Sequence, residues 1–136
     1  MNTTYLLNLV AGNLFKTKET PALPEKFYLG LSSTAPNLDG TGVTEPAASA
    51  GYKRVELTVL SEPTNGAVTN EDKVDFDEST ADWGKMTHFL IFDAETGGNL
   101  LMYGALSVSR TVEEATVMTI KAGSLNLSVV NPAPAA

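Results

Sequence analysis

The stretch from residue 83 to residue 106 constrains the fold of this chain more than any other segment. It consists of two apolar runs separated by Ala94-Glu95-Thr96-Gly97-Gly98. Paired glycines adopt positive φ at little steric cost, so the pattern predicts a β-hairpin. Alternate side chains of a strand point to opposite faces, so Met86, His88, Leu90 and Phe92 are predicted on one face and Thr87, Phe89, Ile91 and Asp93 on the other. Both faces therefore carry large apolar groups. We therefore expect the hairpin arms to lie centrally in a larger sheet.

A sheet that is apolar on both faces needs cover on both. We expect a second layer on one face and a helix or a neighbouring subunit on the other. The 136 residues correspond to about one domain, and 43% of them are hydrophobic. The chain has no cysteine, which excludes disulfides and thiolate zinc sites, so stability has to come from packing.

The charge of the chain limits its partners. Its formal net charge is -7, and its 9 Lys and Arg residues are scattered, so we expect no nucleic-acid partner. The N-terminus lacks the basic and long apolar regions of a signal peptide, and no apolar stretch approaches the ~20 residues that span a bilayer. We therefore expect no membrane partner, and synthesis in a soluble compartment.

One amphipathic helix is predicted near the N-terminus, over residues 3 to 16. Candidate N-caps precede an apolar stripe formed by Leu6, Leu7, Val10 and Leu14. A single helix of this length is marginal alone, so we expect the stripe to pack on the exposed face of the central sheet. The alternative is that the helix docks on another protein.

The rest of the chain is typical of strands separated by turns. Residues 26–31 alternate in polarity, and residues 32–51 form a long polar loop. Residues 52–60 alternate again, which predicts Val55, Leu57 and Val59 inward and Arg54, Glu56 and Thr58 outward. Asn65-Gly66 predicts a tight turn. With the later segments this gives seven or eight strands, and we predict a mainly β fold, an antiparallel β-sandwich with one N-terminal α-helix. The predicted divisions are the helix and connector (1–25), the sandwich (26–130) and a Pro/Ala tail (131–136).

The predicted core is formed by the side chains of these strands that are expected to point inward. Its members are Phe27, Leu29, Val55, Leu57, Trp83, Phe89, Ile91, Leu101, Tyr103, Ile120, Leu125 and Leu127.

Side chains suited to catalysis or metal binding are few. The carboxylates between Glu71 and Asp82 are hard oxygen ligands, but their spacing matches no EF-hand loop, so we expect them to be solvated and expect no metal. Asp39-Gly40-Thr41-Gly42 is followed by no Lys-Ser/Thr pair, so it predicts a turn rather than a phosphate cradle.

Two aromatic side chains were considered as functional groups. His88 is the only histidine and lies in the middle of a predicted strand, which favours a packed or hydrogen-bonded sheet histidine over a catalytic one. Trp83 could stack on a sugar, but a large core residue at one end of the sandwich is the favoured interpretation.

Several motifs in order resemble a known family. They include Phe27-Tyr28-Leu29-Gly30-Leu31-Ser32-Ser33-Thr34-Ala35-Pro36, Gly51-Tyr52-Lys53-Arg54-Val55 and Trp83-Gly84-Lys85-Met86-Thr87-His88-Phe89. Residues 26 to 130 resemble small virion proteins of tailed bacteriophages that are often described as phage tail fibre proteins. The resemblance implies a non-enzymatic, surface-mounted β domain of a virion, made in the host bacterial cytoplasm, with no catalytic residues and no cofactor.

The position in the particle is a separate question. A long fibre needs a stalk of coiled coil or repeats, and this chain has neither. Capsid decoration, in the manner of a head cement protein, is therefore predicted ahead of the alternative, a tail fibre or tail-tip component that binds a carbohydrate or receptor.

The partners expected are the major capsid protein or tail proteins, and the protein is predicted to be a homotrimer, since symmetry adds avidity. The loop 32–51 is the first choice for the partner-binding segment because proline stiffens its backbone, and the helix is the second. The candidate contact residues are Ala35, Pro36, Leu38, Val43 and Pro46 of the loop, with Leu6 and Val10 of the helix.

Overall fold

A computed structural model describes residues 1–16 and 20–129, and the predicted Pro/Ala tail lies outside them. It confirms a mainly β, antiparallel fold with one N-terminal helix. The helix α1 spans Thr4–Leu14, and a 3-10 turn spans Ala48–Ala50. The strands are β1 (Phe27–Ser32), β2 (Val55–Leu57), β3 (Ala67–Thr69), β4 (Val74–Asp75), β5 (Gly84–Phe92), β6 (Leu100–Val112), β7 (Thr119–Ile120) and β8 (Asn126–Ser128).

The predicted hairpin is confirmed as β5 and β6, which belong to a four-stranded antiparallel sheet in the order β2-β1-β5-β6. In the connecting turn, Gly97 and Gly98 have φ of 61° and 73°, as the glycine pair predicts. Strand β5 is central, as predicted. The prediction that both arms are central is wrong for β6, which lies at the edge of the sheet.

Two short ladders, β3 with β8 and β4 with β7, form the second layer of the sandwich. Their side chains share one core with the large sheet, including Leu29, Leu101 and Leu125, which are at most 2% exposed. Trp83 closes this core: its Nε1 donates a hydrogen bond of 2.8 Å to the Ala50 carbonyl. The interpretation of Trp83 as a core residue is confirmed.

The other face of the large sheet carries a smaller apolar cluster. Leu90, Phe92, Leu100 and Tyr103 are buried there, and Val43 from the long loop packs against them. The loop therefore covers part of the face for which a helix or a neighbouring subunit was expected.

The ladder between β5 and β6 is irregular at one point. Met86 pairs with Arg110 and His88 with Ala105, so β6 advances five residues while β5 advances two. Strand β6 therefore carries extra residues opposite Thr87, an arrangement that breaks the simple alternation of faces. Met86 packs in the main core with Ile91, and its predicted position on the same face as Leu90 and Phe92 is wrong.

The helix α1 packs against β6 and contributes Leu6 to the main core. The Thr3 side chain caps the helix by accepting from the Leu6 amide at 3.2 Å. The predicted single stripe is wrong for two of its members, because Leu7 and Leu14 are 51% and 67% exposed. A helix turns by about 100° per residue, which separates them from the Leu6 face.

Nine of the twelve predicted core residues are buried. Phe27, Val55 and Phe89 are only partly buried. Val59 was expected to point inward and is 42% exposed. Arg54 was expected to point outward and is 7% exposed, because it forms an ion pair with Glu45.

Candidate partner-binding surface

The loop between β1 and the 3-10 turn folds back on itself rather than running freely over the surface. The Ser33 amide donates to the Thr44 carbonyl at 3.0 Å, and the Thr34 hydroxyl donates to the Gly42 carbonyl at 2.6 Å. These bonds close a narrow lobe, residues 34–44, whose tip protrudes. A binding segment built in this way loses little conformational entropy when a partner docks.

The tip of the lobe is the predicted Asp39-Gly40-Thr41-Gly42 turn. Gly40 and Gly42 have φ of 86° and 81°, which favours glycine at both positions. The Asp39 carboxylate accepts bonds from the Thr41 hydroxyl at 2.6 Å and the Thr41 amide at 3.0 Å. These two bonds lower the pKa of Asp39 below its ordinary value.

Behind the lobe, a buried ion pair attaches the loop to the rest of the domain. Arg54 binds the Glu45 carboxylate with two nitrogens, at 2.6 Å and 3.0 Å, and the two side chains are 7% and 20% exposed. The guanidinium also donates to the carbonyls of Ala94 and Gly97 in the hairpin turn. It stacks on the Phe92 ring, 3.4 Å from the ring centre. The pair thus joins the loop, the end of β5 and the hairpin turn.

Tyr52 completes this network. Its hydroxyl donates to the Glu45 carboxylate and accepts from the Leu31 amide at 3.0 Å. Burial raises the pKa of Tyr52 well above its ordinary value, and the Glu45 contact adds to the effect. The phenol therefore stays neutral, and the base of the loop is held by satisfied polar contacts.

The candidate contact residues of the loop do not share one environment. Ala35 and Leu38 are exposed at the lobe, and Leu38 is 47% exposed. Pro36 is buried, while Val43 and Pro46 are half-buried. The surface that a partner meets without rearrangement is therefore formed by Ala35 and Leu38.

The helix presents a surface that the sequence reasoning missed. Its two candidate residues face inward: Leu6 is buried and Val10 is half-buried against the core. Leu7, Leu14 and Phe15 are instead 51%, 67% and 75% exposed. The sequence contained a signal for this surface. Leu7 and Leu14 are seven positions apart and Phe15 follows Leu14, which places all three away from the side of the helix that carries Leu6.

The structure brings together no metal-binding set within the described residues. No three acidic or histidine side chains in residues 1–16 and 20–129 are placed to hold a metal ion. His88 lies half-buried in β5, with its Nδ1 2.8 Å from the Thr87 hydroxyl oxygen, which confirms the prediction of a hydrogen-bonded sheet histidine. In the same part of the chain, no helix is long and apolar enough to cross a membrane.

These features define a small β domain that presents an ordered loop and an apolar helix face. The family described as podophage GP4 fiber I protein gp80 matches residues 2–128, and the chain belongs to this family. No curated protein matches the chain. The resemblance to phage fibre proteins is confirmed, and the match also includes α1. Membership supports a structural role in a phage virion, in association with other virion proteins.

Proposed function

We propose that this protein is a non-enzymatic tail fibre component of a tailed-bacteriophage virion. The observation that carries the proposal is the family match over residues 2–128, because the family is described by a fibre protein. Sequence reasoning placed capsid decoration first, on the ground that the chain has no stalk. That ground is weak for a subunit that is attached to a fibre built by other proteins, so the fibre becomes the first choice.

The exposed surface of the lobe, residues 34–44, is the proposed contact with the neighbouring virion protein. It carries the exposed apolar side chains of Ala35 and Leu38, and the lobe is held by the hydrogen bonds at its neck. The Leu38 carbonyl also accepts the Thr4 amide at 2.9 Å, which connects the lobe to the start of α1. A pre-ordered apolar surface supports tight binding from a small contact.

The protein is proposed to act as a homotrimer. Each contact made by one lobe is small, and three lobes on one particle would add their effects through effective concentration. Closed cyclic symmetry is also the usual arrangement for identical subunits on a particle.

Attachment through the lobe is tested with particles that lack the native protein. Replacing the whole loop is unsuitable, because it removes Glu45 from Arg54 and Val43 from the sheet. The variant Ala35→Asp/Leu38→Asp changes only exposed side chains, and Val59→Asp is the control at an exposed position elsewhere. We expect the double variant to fold and to lose co-sedimentation with the particles, while the control binds. Co-sedimentation of the double variant at the level of the wild type would refute the lobe as the contact.

The location is tested separately by labelling. Gold-labelled antibody against the protein should mark the tail region of intact particles in electron micrographs. Labelling distributed over the capsid would refute the fibre and restore capsid decoration.

A further inference from the structure

We propose that the outward face of α1 is the surface through which copies of this chain pack against one another. The inference rests on the proposed function only in one respect, the number of subunits, which is taken from the proposed homotrimer. It concerns a different surface from the lobe, and its occupant is a second copy of the same chain.

The first observation is that α1 is apolar on two opposite sides. Leu6 and Leu9 are 8% and 2% exposed and face the domain. On the outer side, Thr4, Leu7, Asn8, Ala11 and Leu14 are exposed, and three of these, Leu7, Ala11 and Leu14, are apolar. Most surface helices of a folded domain are polar on the outer side, so these apolar side chains indicate a contact surface.

The spacing of the outer stripe fits another helix. This stripe consists of Thr4, Leu7, Ala11 and Leu14. Its members recur at intervals of three, four and three residues, which is the a/d pattern of helices that pack side by side. In that pattern Leu7 and Leu14 occupy d positions, and Thr4 and Ala11 occupy a positions. Small side chains at a positions allow close approach of neighbouring helices. The pattern therefore favours a helix over a flat surface as the partner.

The charge distribution favours another copy as the partner. The chain carries a formal net charge of -7, so contacts between copies tend to bring like charges together. No side chain from Met1 to Phe15 is charged. This segment is where identical acidic subunits can meet without repulsion between side chains, whereas binding of a different, basic partner would be favoured by the acidic parts of the surface.

A helix of 11 residues is too short to form a stable interface alone, because specific interfaces bury more than about 1,000 Å². An apolar groove next to the stripe extends the surface. It is lined by Leu7 itself and by side chains that include Met1, Met102 and Leu127. Of the ten large apolar residues that are exposed in the described part of the chain, four lie between Met1 and Phe15, so the exposed apolar area is concentrated here.

The test measures the molar mass of the protein in solution by analytical ultracentrifugation, without particles. The helix variant is Leu14→Gln/Phe15→Gln, which keeps good helix formers at exposed positions. The matched control is Val108→Gln/Val117→Gln, whose side chains are 61% and 50% exposed outside the helix. We expect a trimer for the wild type and the control, and a shift to monomer for the helix variant.

Other outcomes are equally decisive. A wild-type monomer at micromolar concentration, a helix variant that stays oligomeric, or a control that also dissociates would each overturn the proposal. A wild-type dimer that only the helix variant dissociates supports the helix face and refutes the trimer. Because particles are absent, failure of the lobe proposal leaves this result unaffected.

Cross-linking gives a second measurement that does not depend on the double variant folding. The chain has no cysteine, so a single introduced cysteine reacts alone. With a short bis-maleimide reagent, Leu14→Cys should give a covalent dimer in most of the protein, and Val108→Cys should give none above background. Equal cross-linking of the two variants, or none in Leu14→Cys, would overturn the proposal.

Discussion

The loop lobe and the helix α1 both protrude from the sheet, but they differ in how their own contacts are satisfied. The loop is attached mainly by polar contacts, the Glu45–Arg54 pair behind it and hydrogen bonds along its neck, with Val43 packed on the sheet. The helix is attached by one apolar face, and its opposite face leaves Leu7 and Leu14 exposed. The comparison teaches that a further contact surface is indicated by the exposed apolar area of a segment. The length and polarity of the segment do not indicate it.

The largest effect on the free energy of unfolding is expected when the ion pair that attaches the loop is removed. Arg54→Ala leaves the Glu45 carboxylate and two carbonyls without their buried donor, and we expect a loss of about 3 to 5 kcal/mol in the free energy of unfolding. The measurement is urea denaturation. Lys53→Ala is the neighbouring control, since Lys53 is 62% exposed in its pair with Glu95, and we expect a change below about 0.5 kcal/mol. Equal losses for the two variants would show that burial does not distinguish them.

The second prediction compares the two faces of α1 directly. Leu6→Ala removes a buried side chain, and we expect a loss of about 2 to 4 kcal/mol in unfolding free energy. Leu7→Ala removes an exposed one, so for dilute monomer the change should remain within about 0.5 kcal/mol. Denaturation at low protein concentration checks both. The reverse order would place Leu7, and not Leu6, against the sheet.

A smaller effect is expected where the chain enters α1. Thr3 is fully buried, caps the helix, and has its hydroxyl oxygen 2.7 Å from the Leu100 carbonyl oxygen. Thr3→Ala removes the cap, and we expect a loss of about 1 to 2 kcal/mol in thermal or urea unfolding. Thr3→Ser keeps the hydroxyl and should recover most of that loss. If the Ser variant is as unstable as the Ala variant, the methyl group rather than the cap is responsible.

The smallest effect is a titration at the lobe tip. Hydrogen bonds from Thr41 hold the pKa of Asp39 below its ordinary value of 3.8. A lowered folded-state pKa stabilises the fold above the unfolded pKa, and this contribution disappears as the pH falls through the folded pKa. NMR titration of the Asp39 carboxyl should show the lowered midpoint, and Thr41→Val should raise it. An unchanged midpoint in the variant would show that the Thr41 hydroxyl bond is not the cause of the lowered pKa.

Local chemistry accounts for the parts of the fold that sequence reasoning predicted. The glycine pair at 97–98 indicated the hairpin, and Asn65-Gly66 has φ of 52° and 79°, as a tight turn between strands requires. Asp39 and Gly40 likewise predicted a turn from residues that are adjacent in the chain. In each case the backbone conformation is set by side chains within a few positions.

The features that were missed depend on contacts between distant residues. Arg54 alternates with Val55 and was assigned to the solvent face, but Glu45 and the hairpin turn supply partners that make its burial favourable. Leu7 and Leu14 were placed on the same helix face as Leu6 because apolar periodicity does not tell which of two stripes a sheet will cover. For the candidate site, the lobe was expected from its composition, whereas the helix face required the structure.

The irregular pairing of β6 has a consequence for how unassembled copies of the chain meet. This strand is 13 residues long and lies at the edge of its sheet, and a long regular edge is a template for aggregation. Residues 1–3 cover part of that edge, with Asn2 bridged to Met102. Beyond it, the extra residues opposite Thr87 interrupt the straight row of backbone groups that an incoming strand would need. This irregularity is expected to hinder edge-to-edge growth of unassembled chains into amyloid-like fibrils.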